Sequence, residues 1–279
     1  MAVSIVTDST SDIPESVARE LGITVVPCYV RFGMELYREG VDLSTDELYR
    51  MLEESEIHPS TTQPPPEDFA EAYRKLGQEA EGIVSIHISS KLSGVCNSAL
   101  QASKTDGIGC RVEVVDSLFN SVGLGLITIA AARIARTGAG IQAVLDETAR
   151  AISQVKMLGI FDTLKYMIRG GRVSRLKGMA VSILRVKPML TFNDGEVAPA
   201  GLARTYNKGV DKLVTFIERN APVSALAIAH SNIESRALAL RERLEAFLPQ
   251  ADIMISDLGP TLGVHGGPGV LLVALRCES

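Results

Sequence analysis

Serine, threonine, histidine and glycine are the residues of this chain grouped as if for chemistry. Ser93-Gly94 stands between an apolar run, Ile83 to Ile88, and a helical pattern reaching about Lys104. A hydroxyl followed by glycine at a helix start offers backbone N–H groups and a positive dipole end to an anion. Gly94 would let that ligand approach the backbone closely. Thr61 and Thr62 lie in a loop, Ser60 to Pro66, whose prolines restrict its shape and would preorganise the hydroxyls as donors. The same composition also describes an ordinary surface loop. His265 sits in Gly263-Val264-His265-Gly266-Gly267-Pro268-Gly269, just before a buried-type strand. That much glycine around one histidine implies close approach of backbone or ligand. His58, His87 and His230 read as structural. Ser93 with His265 also leaves open a nucleophile and base of an acyl hydrolase, although no GxSxG elbow is present.

Two basic groups accompany these residues. Arg169, Arg172, Arg175, Lys177 and Arg185 form one, and Arg204, Lys208 and Lys212 the other. They read as an anion or phosphate site, as a dock for an acidic partner, or as a solvated face. Other chemistry is not written in the chain. It has no GxxxxGK[ST] loop and no HExxH or other clustered metal signature, so no metal site is expected. Gly138 to Ala143 matches GxGxxA by letters but lies between two helical patterns rather than after a strand. Cys28, Cys96, Cys110 and Cys277 are scattered, without a CxxC pair, and read as reduced thiols.

The elements that must position the candidates alternate. Ser4 to Thr7 reads as a strand ending in Asp8-Ser9-Thr10-Ser11, with Asp12 expected to cap the next helix. Strands follow at Thr24 to Val30, Ile83 to Ile88 and Val112 to Val115. Gly33 marks a small hairpin, and Ser44 with Glu47 makes a capping box. Helices are expected over about Glu67 to Gln78, Ser121 to Arg136 and Ile141 to Gln154. Such alternation implies a Rossmann-like parallel α/β layer, whose ligand sites lie beyond the carboxyl ends of its strands. The polar clusters there serve equally well as helix caps. From Leu158 onward a hairpin about Asn193-Asp194-Gly195 joins strands and helices in a mixed sheet. One later helix carries Leu240, Leu244, Phe247 and Leu248 on one face. The expected fold is α/β, with an N-terminal parallel domain over 1–155 and a C-terminal mixed domain over 156–279.

The chain has 279 residues, 46% hydrophobic and 22% charged, with a net charge of −5. It is long enough for a large core, and its charge excludes the broad basic footprint of a nucleic-acid binder. The N-terminus MAVSIVTDST lacks a signal-peptide pattern, and the longest uncharged apolar run, Leu124 to Ala132, is too short to span a bilayer. The expected location is cytoplasmic, with no integral membrane segment and transient membrane contact allowed.

The segments Asp8-Ser-Thr-Ser-Asp12, Thr61-Thr-Gln-Pro64, Leu92-Ser-Gly94, Asp162 to Tyr166 with Arg169-Gly-Gly-Arg172, Ala203-Arg-Thr205 and His265-Gly-Gly-Pro-Gly269 together resemble the DegV family, in its order and over nearly the whole chain. The resemblance implies a protein that binds a long-chain fatty acid of the palmitate, stearate or oleate type and has no other cofactor. It also implies a partner, because better-understood members are the binding subunit of a bacterial fatty acid kinase whose separate subunit supplies ATP. By position, Thr61, Ser93 and His265 would hold the carboxyl head, and Arg172 and Arg204 would assist the acyl phosphate or the kinase. No catalytic residue is implied in this chain. Where the family often has Thr-Tyr after Leu-Ser-Gly, Val95-Cys96 stand here. A lipid-sensing regulatory protein would show the same binding chemistry.

Overall fold

The computed structural model describes residues 3–172, 186–246, 248 and 253–278. Arg175, Lys177, Arg185 and Phe247 lie outside the described residues.

The N-terminal part is built on a four-stranded parallel sheet, order β2-β1-β6-β7. Its strands are β1 (Val3–Asp8), β2 (Ile23–Val26), β6 (Gly82–His87) and β7 (Arg111–Asp116). β6 is buried at every position, as a central strand covered on both faces must be. The expected strand Thr24 to Val30 is interrupted at Pro27, which donates no backbone hydrogen. Beyond the break, β3 (Tyr29–Phe32) pairs antiparallel with both β4 (Glu35–Arg38) and β5 (Ser60–Thr62). The loop expected around Thr61 is therefore partly a strand. Ser44 caps α2 (Thr45–Glu54) as anticipated, accepting from the Glu47 N–H.

The second sheet is six-stranded and mixed, order β10-β9-β8-β13-β11-β12. It comprises β8 (Val155–Ile160), β9 (Lys187–Asn193), β10 (Glu196–Ala203), β11 (Val223–His230), β12 (Ile253–Asp257) and β13 (Leu271–Cys277). Only β11 and β12 run parallel. The β9–β10 hairpin turns through Asp194 and Gly195, both at positive φ (53° and 77°), which is the geometry an Asp-Gly turn favours. Helices α8 (Tyr206–Arg219) and α9 (Glu234–Glu245) cover one face through a cluster centred on Leu213, Ile217, Ile228 and Leu240.

Helices α3 (Pro66–Leu76) and α4 (Val95–Ala102) pack on the parallel sheet, as do α5 (Ser121–Ala135) and α6 (Ile141–Gln154) from the sequence that follows it. α5 also packs on β8, β11 and β13 of the mixed sheet. Thirteen of its residues, from Ser121 to Ala135, are buried. A helix apolar on all sides is stable only when enclosed. The short helices α1 (Glu15–Leu21), α7 (Lys165–Gly170) and α10 (Pro260–Gly266) complete the fold.

Leu124 is fully buried on α5, whereas Leu100 on α4 is 45% exposed. Leu124→Ala should therefore cost about 2–5 kcal/mol of unfolding free energy, and Leu100→Ala within about 0.5 kcal/mol of zero. Urea denaturation of both variants checks this; equal midpoints would refute the enclosed helix.

Candidate functional site

β5 carries Thr61 opposite Val30 of β3, and alternation along the strand turns Thr61 and Thr62 to opposite faces. Thr61 is half-buried and Thr62 exposed. The Thr61 hydroxyl meets His265 Nε2 at 2.9 Å, joining residues 204 positions apart.

His265 lies near the end of α10. Pro260 starts this helix and Gly267, at φ 71°, ends it. Seven residues containing two glycines leave no helical periodicity to read. The imidazole packs so tightly on α7 that a Cβ at Gly170 would lie 2.0 Å from Nδ1. Burial, then the Arg172 guanidinium and His58, push the His265 pKa down to about 4. The ring is neutral at pH 7. Among the described residues its buried Nδ1 has no hydrogen-bond partner. Either tautomer then leaves one hydrogen unused by the pair. If Nε2 accepts from Thr61, Nδ1–H is the free donor; if Nε2–H donates, the Thr61 hydroxyl hydrogen turns outward.

Ser93 and Gly94 precede α4, with Gly94 at its N-cap position. The Ser93 N–H already bonds the Ser89 carbonyl at 3.1 Å, leaving the hydroxyl as that residue's donor. The Gln63 amide lies against Gly94, where a Cβ would come within 2.6 Å of Gln63 Oε1. Gln63 thus ties the Thr61 strand to the Ser93 turn. Among the described residues, Ser93 makes no hydrogen bond with His265, so the nucleophile–base pair of a hydrolase is not formed.

Arg172 is exposed, donates to the Gly170 carbonyl at 2.6 Å and acts on His265 through its charge. Arg204 is exposed just before the Thr205 cap of α8 and, among the described residues, shares no hydrogen bond or ion pair with Thr61, Ser93 or His265. Lys208 pairs with Asp211 of its own helix, and Lys212 donates to the Leu202 carbonyl of β10.

Behind His265 lies an apolar cavity of about 60 Å³. Met157 and Gly159 of β8, Leu190 and Phe192 of β9, and Leu272 of β13 form its walls. Among the described residues lining it, His265 is the only titratable one.

Two features were not visible in the sequence. His58 joins the electrostatics of His265, and among the described residues its buried Nε2 has no partner. His87 joins a fully buried chain: Tyr73 donates to Ser85 Oγ (2.7 Å), Ser85 meets His87 Nε2 (2.7 Å), and His87 Nδ1 meets Asp8 Oδ2 (2.9 Å). The order Ser–His–Asp mimics a hydrolytic triad, but none of the three is exposed. Asp8 also accepts from the Thr10 and Ile88 N–H groups. It therefore anchors the turns leaving β1 and β6, the second of which leads to Ser93. Sequence could offer only the Asp8-Ser-Thr-Ser cluster as a hint.

Two open-ended α/β sheets sharing a buried helix, with a neutral Thr–His pair beside an apolar cavity, define the class of protein. The chain belongs to the DegV family, whose model, described as an uncharacterised protein family, matches residues 2–277. It is 35% identical over 282 residues to a DegV domain-containing protein of Deinococcus radiodurans, covering 99% of each chain. A DegV family protein from Thermus thermophilus, described for its fatty acid binding, has a TM-score of 0.91 at 33% identity and is covered over 100% of both chains. A stearic-acid-binding protein from Eubacterium ventriosum has a TM-score of 0.90 at 25% identity, with 98% of each chain covered. Among the described residues, no helix is long and apolar enough to cross a membrane, and no cluster of three or more His, Cys, Asp or Glu could hold a metal ion.

The depressed His265 pKa has a measurable sign. The unfolded chain takes up a proton near pH 6.5 that the folded ring refuses until about pH 4. Stability tied to this group is intact above pH 6.5 and is lost as pH falls toward 4. NMR titration of the ring should show a midpoint near 4, and Arg172→Gln should raise it. A midpoint near 6.5 in the parent would contradict the buried, neutral ring.

Proposed function

We propose that this chain binds one long-chain fatty acid and presents its carboxylate to a partner kinase for phosphorylation to an acyl phosphate. The observation that carries the binding step is the Thr61–His265 pair set against a cavity with no other titratable lining residue among those described. Fatty acid binding described for the Thermus thermophilus protein and stearic acid binding for that of Eubacterium ventriosum support it.

In this reading Thr61, Ser93 and His265 hold the head group, Ser93 and the one hydrogen left over by the Thr61–His265 pair donating to it, with the backbone at Gly94 beside it. The exposed Thr62 is left to the rim. With residues 1–155 and 156–279 taken as two folding units and the pocket expected between or beside them, the acyl chain runs into a cavity lined by the second unit together with Asn120 of the first. The cavity has room for only about four waters at roughly 15 Å³ each, so its walls must yield to a long chain. Met157 and Met167 line it and are unbranched, adaptable side chains suited to that. Burying about 14 methylenes at roughly 0.8 kcal/mol each yields about 11 kcal/mol gross. Association and ordering remove a large part of this. The head-group hydrogen bonds then set orientation as much as affinity.

Arg172, beside His265 but exposed, supplies positive charge at the surface where a phosphoryl donor would arrive. Arg204 takes the same part on the β10 side. The chain itself supplies no ATP site, and the kinase does. The cytoplasm is the expected place for this exchange, with transient contact at a membrane to collect the lipid.

Mass spectrometry after organic extraction of the purified protein should release a stoichiometric fatty acid. Thr61→Val, Ser93→Ala and His265→Ala should each weaken palmitate binding by about tenfold or more, since a hydrogen bond to a charged group contributes roughly 1.5–3 kcal/mol. Three variants that bind as the parent does would remove the proposed head-group site. ATP should be consumed only when the kinase subunit is added; ATP turnover by this chain alone would refute the division of labour.

A further inference from the structure

The helix that carries His265 is held at its other end by two carboxylates from the far side of the sequence. Gly259, the N-cap of α10, donates its N–H to Asp12 Oδ1 at 3.0 Å. Thr261, in the first turn, donates its N–H to Glu39 Oε1 at 3.2 Å. These contacts span 247 and 222 residues. No side chain of the helix's own N-cap residue is available, because that residue is glycine. The two carboxylates therefore take the place of a local cap and satisfy N–H groups that a helix start leaves unpaired.

Both acids are built for this contact. Asp12 is 7% and Glu39 5% exposed. Asp12 adopts a left-handed backbone (φ 49°), which Asp tolerates better than most residues, and Ser121 donates to its second oxygen. Glu39 accepts from Ser9 at its second oxygen, and Ser9 in turn accepts from the Cys28 N–H at 2.9 Å. The fit leaves no slack: a Cβ at Gly259 would lie 2.3 Å from Glu39 Oε1. Tyr49 adds a third anchor from α2, donating to the Leu258 carbonyl at 3.1 Å.

α10 belongs by sequence to the mixed-sheet part, yet its fastenings on this side come from the N-terminal part. So does Thr61, the partner of His265. One short rigid helix therefore relates the two. Its start is fixed by Asp12 and Glu39, and the side chain near its end must meet Thr61. A shift of its first turn along the helix axis would carry His265 with it. We infer that Asp12 and Glu39 are positioning residues for the head-group pair, setting the register of His265 against Thr61. This rests on the proposed fatty-acid site, although the register itself is measurable without ligand.

The test compares Asp12→Ala, Glu39→Ala, Gly259→Ala and the shape-preserving Asp12→Asn and Glu39→Gln in the full chain. The ligands are palmitic acid and hexadecanol, which share a chain length and differ in the carboxylate. The alanine variants and Gly259→Ala should lose about tenfold in palmitate affinity, the size expected for one impaired hydrogen bond to a charged group. Hexadecanol affinity should change less than about twofold. Glu39→Gln keeps the acceptor for the Thr261 N–H and should retain most palmitate binding. Equal losses for both ligands, or none for palmitate, in a protein whose Thr61→Val variant does separate the two ligands would overturn the inference. A second readout does not need ligand: ¹⁵N chemical shifts of the His265 ring should move in Glu39→Ala and Gly259→Ala as they do in Thr61→Val. Unchanged shifts would overturn it too. If Thr61→Val fails to separate palmitate from hexadecanol while the ring shifts move as expected, the fatty-acid site is wrong and the register role stands.

Discussion

α5 has almost no polar face. Only Arg133 and Ile134 of its fifteen residues escape burial. Such a helix must be covered all round, and no single sheet can do that. The parallel sheet takes one side, β8, β11 and β13 take another, and α6 closes a third. This requirement joins the two sheets through one hydrophobic cluster that runs from Val6 and Ile86 to Met157 and Leu272. It also locates the cavity. Asn120 just ahead of α5 lines it, and β8, β9 and β13 continue beyond the helix as its walls. An apolar space arises where the helix that fills the seam between the sheets begins.

The polar framework answers a second requirement, that buried carboxylates find donors. Asp8 holds the ends of β1 and β6 through the Thr10 and Ile88 N–H groups and His87. Asp12 and Glu39 hold the start of α10. The carboxyl ends of a parallel sheet usually face a ligand directly. Here they are occupied by internal anchors, and the residues proposed to meet the ligand stand one step further out, on β5, on the turn before α4 and on α10.

Elements with local causes were legible in the sequence. Ser44 and Glu47 started α2, and the Asp194-Gly195 pair turned the β9–β10 hairpin. Alternation over residues 83–154 matched the parallel layer. Elements decided by distant partners were not. Asp12 has the letter and spacing of a cap for α1, but that helix has Pro14 at its N-cap and no side-chain bond there. The Asp12 carboxylate goes instead to Gly259 and Ser121, partners no local rule includes. Thr61 read as loop because three flanking prolines outweigh a three-residue strand, which exists only through β3. The glycines around His265 imply close approach, and the close neighbours are specific: Gly267 lies against Tyr166 of α7 and Gly263 against Leu48 and Tyr49 of α2, while the glycine facing the imidazole is Gly170 of α7, which no local pattern around His265 includes.

The neutrality of His265 bears on what the proposed site can do. A buried imidazolium or a bidentate arginine would hold a carboxylate more strongly. It would also draw charge from the oxygen that must attack a phosphoryl group. A ring with a pKa near 4 cannot do this at pH 7. In the proposed site it would orient the head group by hydrogen bonding and leave the charge on the oxygens. Among the described residues, Arg172 is a full positive charge that acts on His265; it is exposed and lies outside the Thr61–His265 contact. Burial first, and then its field, keep the imidazole unprotonated beneath it. In the proposed site that same field would also favour an incoming anion at the surface, adding positive potential where phosphate would arrive while the donor beneath stays uncharged.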